Sequence, residues 1–462
     1  MTDAGGIEGG GSRKRTAPEG EKAVGVDIDR DTAIEATLTA MEADGVTASA
    51  DVGELGAKKA KKGGGDGKLR ISVLDVGQGD CTLIVTPAGK RIMIDCGYSP
   101  GNQADANATV IRRRTLWHAI NSLDFVGGGK SLDILILTHA DVDHINMIPA
   151  MLDKVPLVTV YHSATIGHYQ NQVQELLNGR AQRKEASIKQ VTCKWKARDD
   201  KTQAVVALDR YGPDNAPTDG STDVFFPVNP DGSGGGGITI WSEPDCTVSI
   251  LASGVDAMSY PPVTDQDGVG INDSDNANNT GSVVTLVEAF GTNGIKALFC
   301  GDATRSTEGY LLQKHGSRIE NLDFLMVPHH GSSTTSSTLN FIKKTNPAHI
   351  VLSAGRQDSR QYQHPRWVTV KRYLQNFAAV EGQVEDGKAI TMWNVPERKK
   401  NIALPTEQEL TAWGIEEVED FPDVARCLRM DITYAVYETA DVEVLQRPEG
   451  LEIKLLDEEV PR

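Results

Sequence analysis

The chain has 462 residues, 39% of them hydrophobic, and a formal net charge of −17, so it can bury a large core. Broad nonspecific adhesion to nucleic acid is excluded unless a local basic patch supplies it. The six cysteines are scattered without a CxxC pair, no stretch approaches the roughly 18 apolar residues of a membrane span, and MTDAGGIEGGG lacks signal-peptide order; a soluble, cytoplasmic protein with reduced thiols is expected.

Residues 1–68 are poor in aromatics and rich in Gly, Ala, Lys and Asp, which predicts a disordered region with a short helix near TAIEATLTAMEA. Order begins at residue 69. Three β-rich runs (71–76, 81–86 and 91–95) are separated by GQGD and PAGK turns, and a helix is predicted near 108–122. The strand LDILIL (132–137) leads into THADVDH, after which INMIPAMLD reads as the start of a helix. The pattern weakens over 156–275, read as a long insertion holding a strand (VPLVTVYH), a helix (YQNQVQELLNG) and two loop-like stretches. Strands return at SVVTLVEAF, IKALFCGD, LDFLMVPHHGS and AHIVLSAG, then a helix near 366–377 and the strand KAITMWNV. The domain is expected to end at 398, leaving 399–462 as an appended β-rich extension.

Chemistry concentrates where strands end. His139, Asp141, Asp143 and His144 crowd into six positions after a six-residue apolar strand. Imidazole and carboxylate are ligand types for Zn, Mn or Fe, and side chains at a strand end project into a crevice. Asp302 in FCGD, His329 and His330 in VPHHGS, and His364 in YQHPRW also follow strands or precede a helix. LDILILTHADVDH and LDFLMVPHHGS echo each other, as two similar halves delivering both clusters to one edge would require. The basic stretch RAQRKEASIKQVTCKWKAR (180–198) is a candidate phosphate-contacting surface with Trp195 as a stacking platform, or a solvated helix face.

The motifs DVGQGD (75–80), IDCG (94–97), LTHADVDH (137–144), NTGS (279–282), FCGD (299–302), PHHGSS (328–333) and QHP (363–365) resemble, in order, those of the metallo-β-lactamase superfamily. More narrowly they look like the branch containing the soluble domain of ComEC-type competence proteins. The resemblance implies an αββα sandwich of two mixed sheets flanked by helices, with a centre for two divalent ions (Mn or Zn, with Mg as an option) at one edge. His139, Asp141, Asp143, His144 and His329 would be ligands with Asp302 bridging. Asp75, Asp95 and Asn279 would orient them through hydrogen bonds. Asp143, His330 and His364 would carry catalysis, although the sequence leaves open how His329, His330 and His364 divide between ligand and general acid.

Two departures bear on the metal. Asp141 stands where the wider superfamily has a histidine, and NNTGS puts Asn278 or Asn279 where many relatives carry another. More oxygen donors favour harder ions. The expected reaction is hydrolysis of a phosphodiester in DNA or RNA by an activated water. The alternatives are a small nucleotide, phosphodiester or ester as substrate, and a non-catalytic metal-binding scaffold in a multi-protein system.

Overall fold

The computed structural model describes residues 65–74, 76–98, 125, 130–163, 168–192, 222–225, 237–255, 277–291, 294–354, 363–379, 390–394, 405–421, 425–430, 436–438, 442–447 and 450–455. The disorder expected over most of 1–68, the helix near 108–122, Trp195 and Asp75 fall outside them.

The first sheet is built from β1 (Arg70–Val73), β2 (Thr82–Val85), β3 (Arg91–Ile94), β4 (Leu132–Leu137), β5 (Leu157–His162), β6 (Ser187–Thr192) and β7 (Thr222–Phe225). β1, β2 and β3 form an antiparallel meander, and β3 to β7 then run parallel. The second sheet repeats that logic. β8 (Ile238–Glu243), β9 (Cys246–Ala252), β10 (Val284–Ala289) and β11 (Ile295–Phe299) are antiparallel, whereas β12 (Phe324–Met326) and β13 (His349–Leu352) continue parallel to β11. A small third sheet pairs β14 (Ile390–Asn394) and β15 (Ile415–Phe421) with β16 (Ala425–Met430).

Alternation along the strands explains the layering. In β4, Ile134 and Ile136 join a core shared with Ile250, Leu286 and Leu298 of the other sheet, so the two sheets pack face to face. The intervening Leu135 and Leu137 pack on the opposite face with Ile145, Ile148, Leu152, Val173 and Leu177. Those come from α1 (Val142–Ile145), α2 (Ile148–Leu152) and α3 (Asn171–Gln182). Such two-sided burial is why β4 reads as a continuous apolar run. Four further helices matter to the site: α4 (Ala277–Thr280), α5 (Arg305–His315), α6 (Leu339–Thr345) and α7 (Trp367–Ala379). The architecture is the expected αββα sandwich.

Two sequence readings need correction. The segment 156–275 is not an excursion from the fold, because it supplies β5, β6 and β7 to one sheet and β8 and β9 to the other. The tail is not a separate appendage either. β17 (Val436–Glu438) pairs parallel with β13, while β18 (Val442–Arg447) pairs with β1 and with β19 (Gly450–Leu455), so the tail extends both main sheets. Pairing across such separations depends on tertiary neighbours and leaves no local period.

Candidate metal centre

The site forms where parallel strands of both sheets end. Asp95 follows β3, residues 138–144 follow β4, Asp302 follows β11, His329 and His330 follow β12, and Ser353 follows β13. Asp95 is fully buried and left-handed (φ 55°), and its carboxylate ties the first two turns together. It accepts from Thr138 N–H at 2.8 Å, from Thr138 Oγ1 at 2.5 Å and from His144 Nδ1 at 2.7 Å. Cys96 N–H donates to His144 O at 2.8 Å, and next to it a Cβ on Gly97 would stand 2.2 Å from Asp143 O, so only glycine allows this approach.

Donor accounting sets the histidine tautomers. Thr138 Oγ1 spends its one proton on Asp95 and therefore accepts from His139 Nδ1–H at 3.0 Å. His144 donates from Nδ1 to Asp95, and His330 from Nδ1 to Ser353 O at 2.7 Å. Thr335 Oγ1 donates to Ser332 Oγ and so accepts from His329 Nδ1–H at 2.7 Å. All four rings consequently turn Nε2 inward.

Those nitrogens converge on carboxylates. Asp302 Oδ1 lies 3.2 Å from His144 Nε2 and 3.3 Å from His330 Nε2, while its Oδ2 lies 3.7 Å from His139 Nε2 and 3.6 Å from His329 Nε2. Asp143 Oδ2 is 3.6 Å from His330 Nε2, and Asp141 Oδ2 is 3.5 Å from His139 Nε2. Asp141 stands at the N-cap of α1 but makes no side-chain capping bond; its carboxylate takes Asn278 Nδ2–H at 2.5 Å instead.

The charge balance is that of a cation site. Burial opposes charge on His144 and His330, yet Asp302 outweighs it at both; Asp95 assists at His144, and Asp143 and Asp80 assist at His330, which is pushed up to about 9. Burial likewise opposes ionisation of Asp302, but His330, His329 and His144 hold it well below the usual carboxylate range. Asp143 is lowered in the same way by His330 and His144, against its own burial. Protons on imidazole thus stand in for positive charge. His139 Nε2, Asp302 Oδ1 and Asp80 Oδ1 are buried with no hydrogen-bond partner. Ligand atoms of His139, His144 and Asp302, and those of Asp143, His144 and His330, lie within 4.8 Å of one another. Orphaned, converging N and O donors of this kind fit divalent metal.

The expected residues His139, Asp141, Asp143, His144, Asp302, His329 and His330 thus come together, with Asp95 behind them. Asn279 also sits among them, its Nδ2–H reaching Asp302 Oδ2 and His329 Nε2, each at 3.2 Å. His364 stands further out, its ring centroid 5.8 Å from that of His329 and 6.4 Å from that of His330. Burial, helped by Arg366, holds its imidazole well below the ordinary range. Sequence reasoning missed the supporting shell of Thr138, Thr335 and Ser353, hydroxyl residues that no pattern marks. The GQGD loop, by the same resemblance, would lie against the site, as it does, but the resemblance assigns no role to its last residue, Asp80, whose carboxylate lies 3.8 Å from His144 Nδ1 and which burial pushes up to about 6.

The sandwich and this edge define a metallo-β-lactamase-fold protein with a candidate metal centre. The sequence model of the Metallo-beta-lactamase superfamily matches residues 74–251, less than half of the chain. No curated protein matches. Among solved structures, the chain is similar to the metallo-β-lactamase fold protein YhfI from Bacillus subtilis at 11% identity and a TM-score of 0.29, over 67% of this chain and 94% of that one. It is similar to Tm1679, a metal-dependent hydrolase of the β-lactamase superfamily, at 11% identity and a TM-score of 0.32, over 67% and 93%. A long form RNase Z from yeast is matched at 12% identity and a TM-score of 0.31, over 66% of this chain and 40% of that one. Among the described residues, no helix is long and apolar enough to cross a membrane.

Proposed function

We propose that this chain is a metal-dependent phosphodiesterase, with a nuclease acting on DNA or RNA as the leading form. The observation that carries the proposal is the double engagement of Asp302, whose two oxygens face two separate sets of donors. His139, Asp141 and His329 with Asp302 Oδ2 would hold one divalent ion, and Asp143, His144 and His330 with Asp302 Oδ1 the other. The oxygen-rich set favours Mn²⁺, with Zn²⁺ and Mg²⁺ as alternatives. When bound, such ions acidify water towards a pKa of about 7 and neutralise charge on a phosphoryl group.

The protein's own groups do the rest. Asp95 and Ser353 hold the rings of His144 and His330 with Nε2 inward. Contact of His330 with Asp143 and Asp302 supports counting it among the donors, which leaves His364 to deliver a proton to the leaving oxygen. Burial keeps His364 neutral in the free protein, and an anionic diester beside it offsets that penalty. The motif order supports placing the chain near the ComEC-type branch.

A small diester or nucleotide as substrate is the second reading, favoured by the fate of the basic stretch. Arg180 is buried and spends its guanidinium on Leu152 O and Asp153 O, and Arg183 pairs with Glu185 at 2.8 Å. The test is to strip the protein with chelator, restore Mn²⁺, Mg²⁺ or Zn²⁺ singly, and offer DNA, RNA and bis-p-nitrophenyl phosphate beside an Asp302→Ala control. Polymer cleavage lost in the control supports the nuclease, and cleavage of the small diester alone supports the second reading. Silence from a protein that binds metal would return the scaffold alternative.

A further inference from the structure

We propose that the two cation positions are unequal: the Asp143–His144–His330 position loads first, and Asn279 holds the His139–Asp141–His329 position weak. This rests on the metal-dependent reading above and concerns this chain's own amides.

The asymmetry lies in what already occupies the lone pairs. On one side, Asn279 Nδ2 donates to Asp302 Oδ2 and to His329 Nε2, each at 3.2 Å, and Asn278 Nδ2 donates to Asp141 Oδ1 at 2.5 Å. An ion bound there competes with amide protons for Asp302 Oδ2 and His329 Nε2, and the Asn278 amide draws charge from the third group, Asp141. On the other side, Asp302 Oδ1 meets no amide; its neighbours are the Nε2 atoms of His144 and His330 at 3.2 and 3.3 Å, whose protons an ion can displace as an amide's cannot be displaced. Exposure runs the same way: the Asp141 side chain is 42% exposed and that of Asp143 22%, so charge–charge attraction is better screened by water at the first position.

Asn279 cannot simply withdraw. It is 2% exposed, and its turn is pinned by Gly281 N–H to Asn278 O, by Ser282 N–H to Asn279 O and by Val283 N–H to Thr138 O. Its Oδ1 is buried without a partner, so the amide is held through its donor end. Loading this position therefore strips a buried N–H₂ of its acceptors, one of them a carboxylate. Losses of that kind correspond to about a 10- to 100-fold weaker binding constant.

The test is a calorimetric titration of the chelator-stripped full chain with Mn²⁺, paired with the metal-to-protein ratio after gel filtration. We expect one equivalent to survive filtration and a second to bind at least about tenfold more weakly. Asn279→Ala, checked for folding by its thermal transition, should tighten the second equivalent and leave the first unchanged. If that variant does not fold, Asn278→Ala carries the test, because freeing Asp141 should act in the same direction. Two equivalents of equal affinity in the unaltered protein would overturn the proposal, as would a folded variant whose second equivalent is unchanged or weaker. Equal binding would leave the proposed function standing, whereas no Mn²⁺ binding at all would remove both.

Discussion

Asp95 Oδ2 lies 2.7 Å from His144 Nδ1, between two side chains with no exposed surface. The carboxylate sets which nitrogen of the ring carries the proton, and so which one faces Asp302. Asp95→Asn keeps the size but puts the acceptor in doubt, since one end of the amide donates. The expected outcome is a folded protein whose metal affinity drops about 10- to 100-fold, read by calorimetric titration.

Asp302 is engaged from both sides, and it is buried beside four imidazoles. Asp302→Ala should lower metal-dependent turnover of a phosphodiester by at least about a hundredfold, the scale of a few kcal/mol of charge stabilisation. Unchanged turnover in a folded variant would sink the assignment of this edge as the active centre.

Gly97 is where the chain after β3 touches the ligand loop. A methyl there meets Asp143 O at 2.2 Å and His144 C at 2.5 Å, and neither is the end of a flexible side chain. Gly97→Ala should destabilise the fold by about 1–3 kcal/mol, visible as a lower urea midpoint, and weaken metal binding because Asp143 and His144 must shift.

Acid sensitivity should come partly from His315, at the end of α5 and outside the ligand set. Burial, with Arg318 and Lys314 nearby, pushes its imidazole down to about 4 from an ordinary 6.5. The unfolded chain then binds more protons than the folded one between those values. This contribution is fully present above 6.5 and is lost as pH falls from there to about 4, amounting to roughly 3 kcal/mol. Urea midpoints measured across that window should fall with pH, and His315→Gln should flatten the slope. An identical slope in the variant would assign the effect elsewhere.

Much of this was legible in one dimension. LDILIL followed by THADVDH announces itself because a strand buried on both faces leaves no room for four ionisable groups unless the chain emerges at an edge. LDFLM followed by PHHGS repeats the signal, and β4 and β12 do occupy matching places, each parallel to the strand before it. These features are local, and local patterns survive in sequence.

Only the tertiary structure decided who faces whom. That His330 turns to Asp143 while His329 turns to Asn279 follows from Ser353 and Thr335, residues whose hydroxyl and carbonyl groups carry no signature. That β17 and β18 extend both sheets, and that 156–275 supplies five of their strands, depends on pairings across up to hundreds of residues. A strand's alternation says which face it buries, whereas its partner is chosen by the shape and register of edges that exist only once the chain has folded.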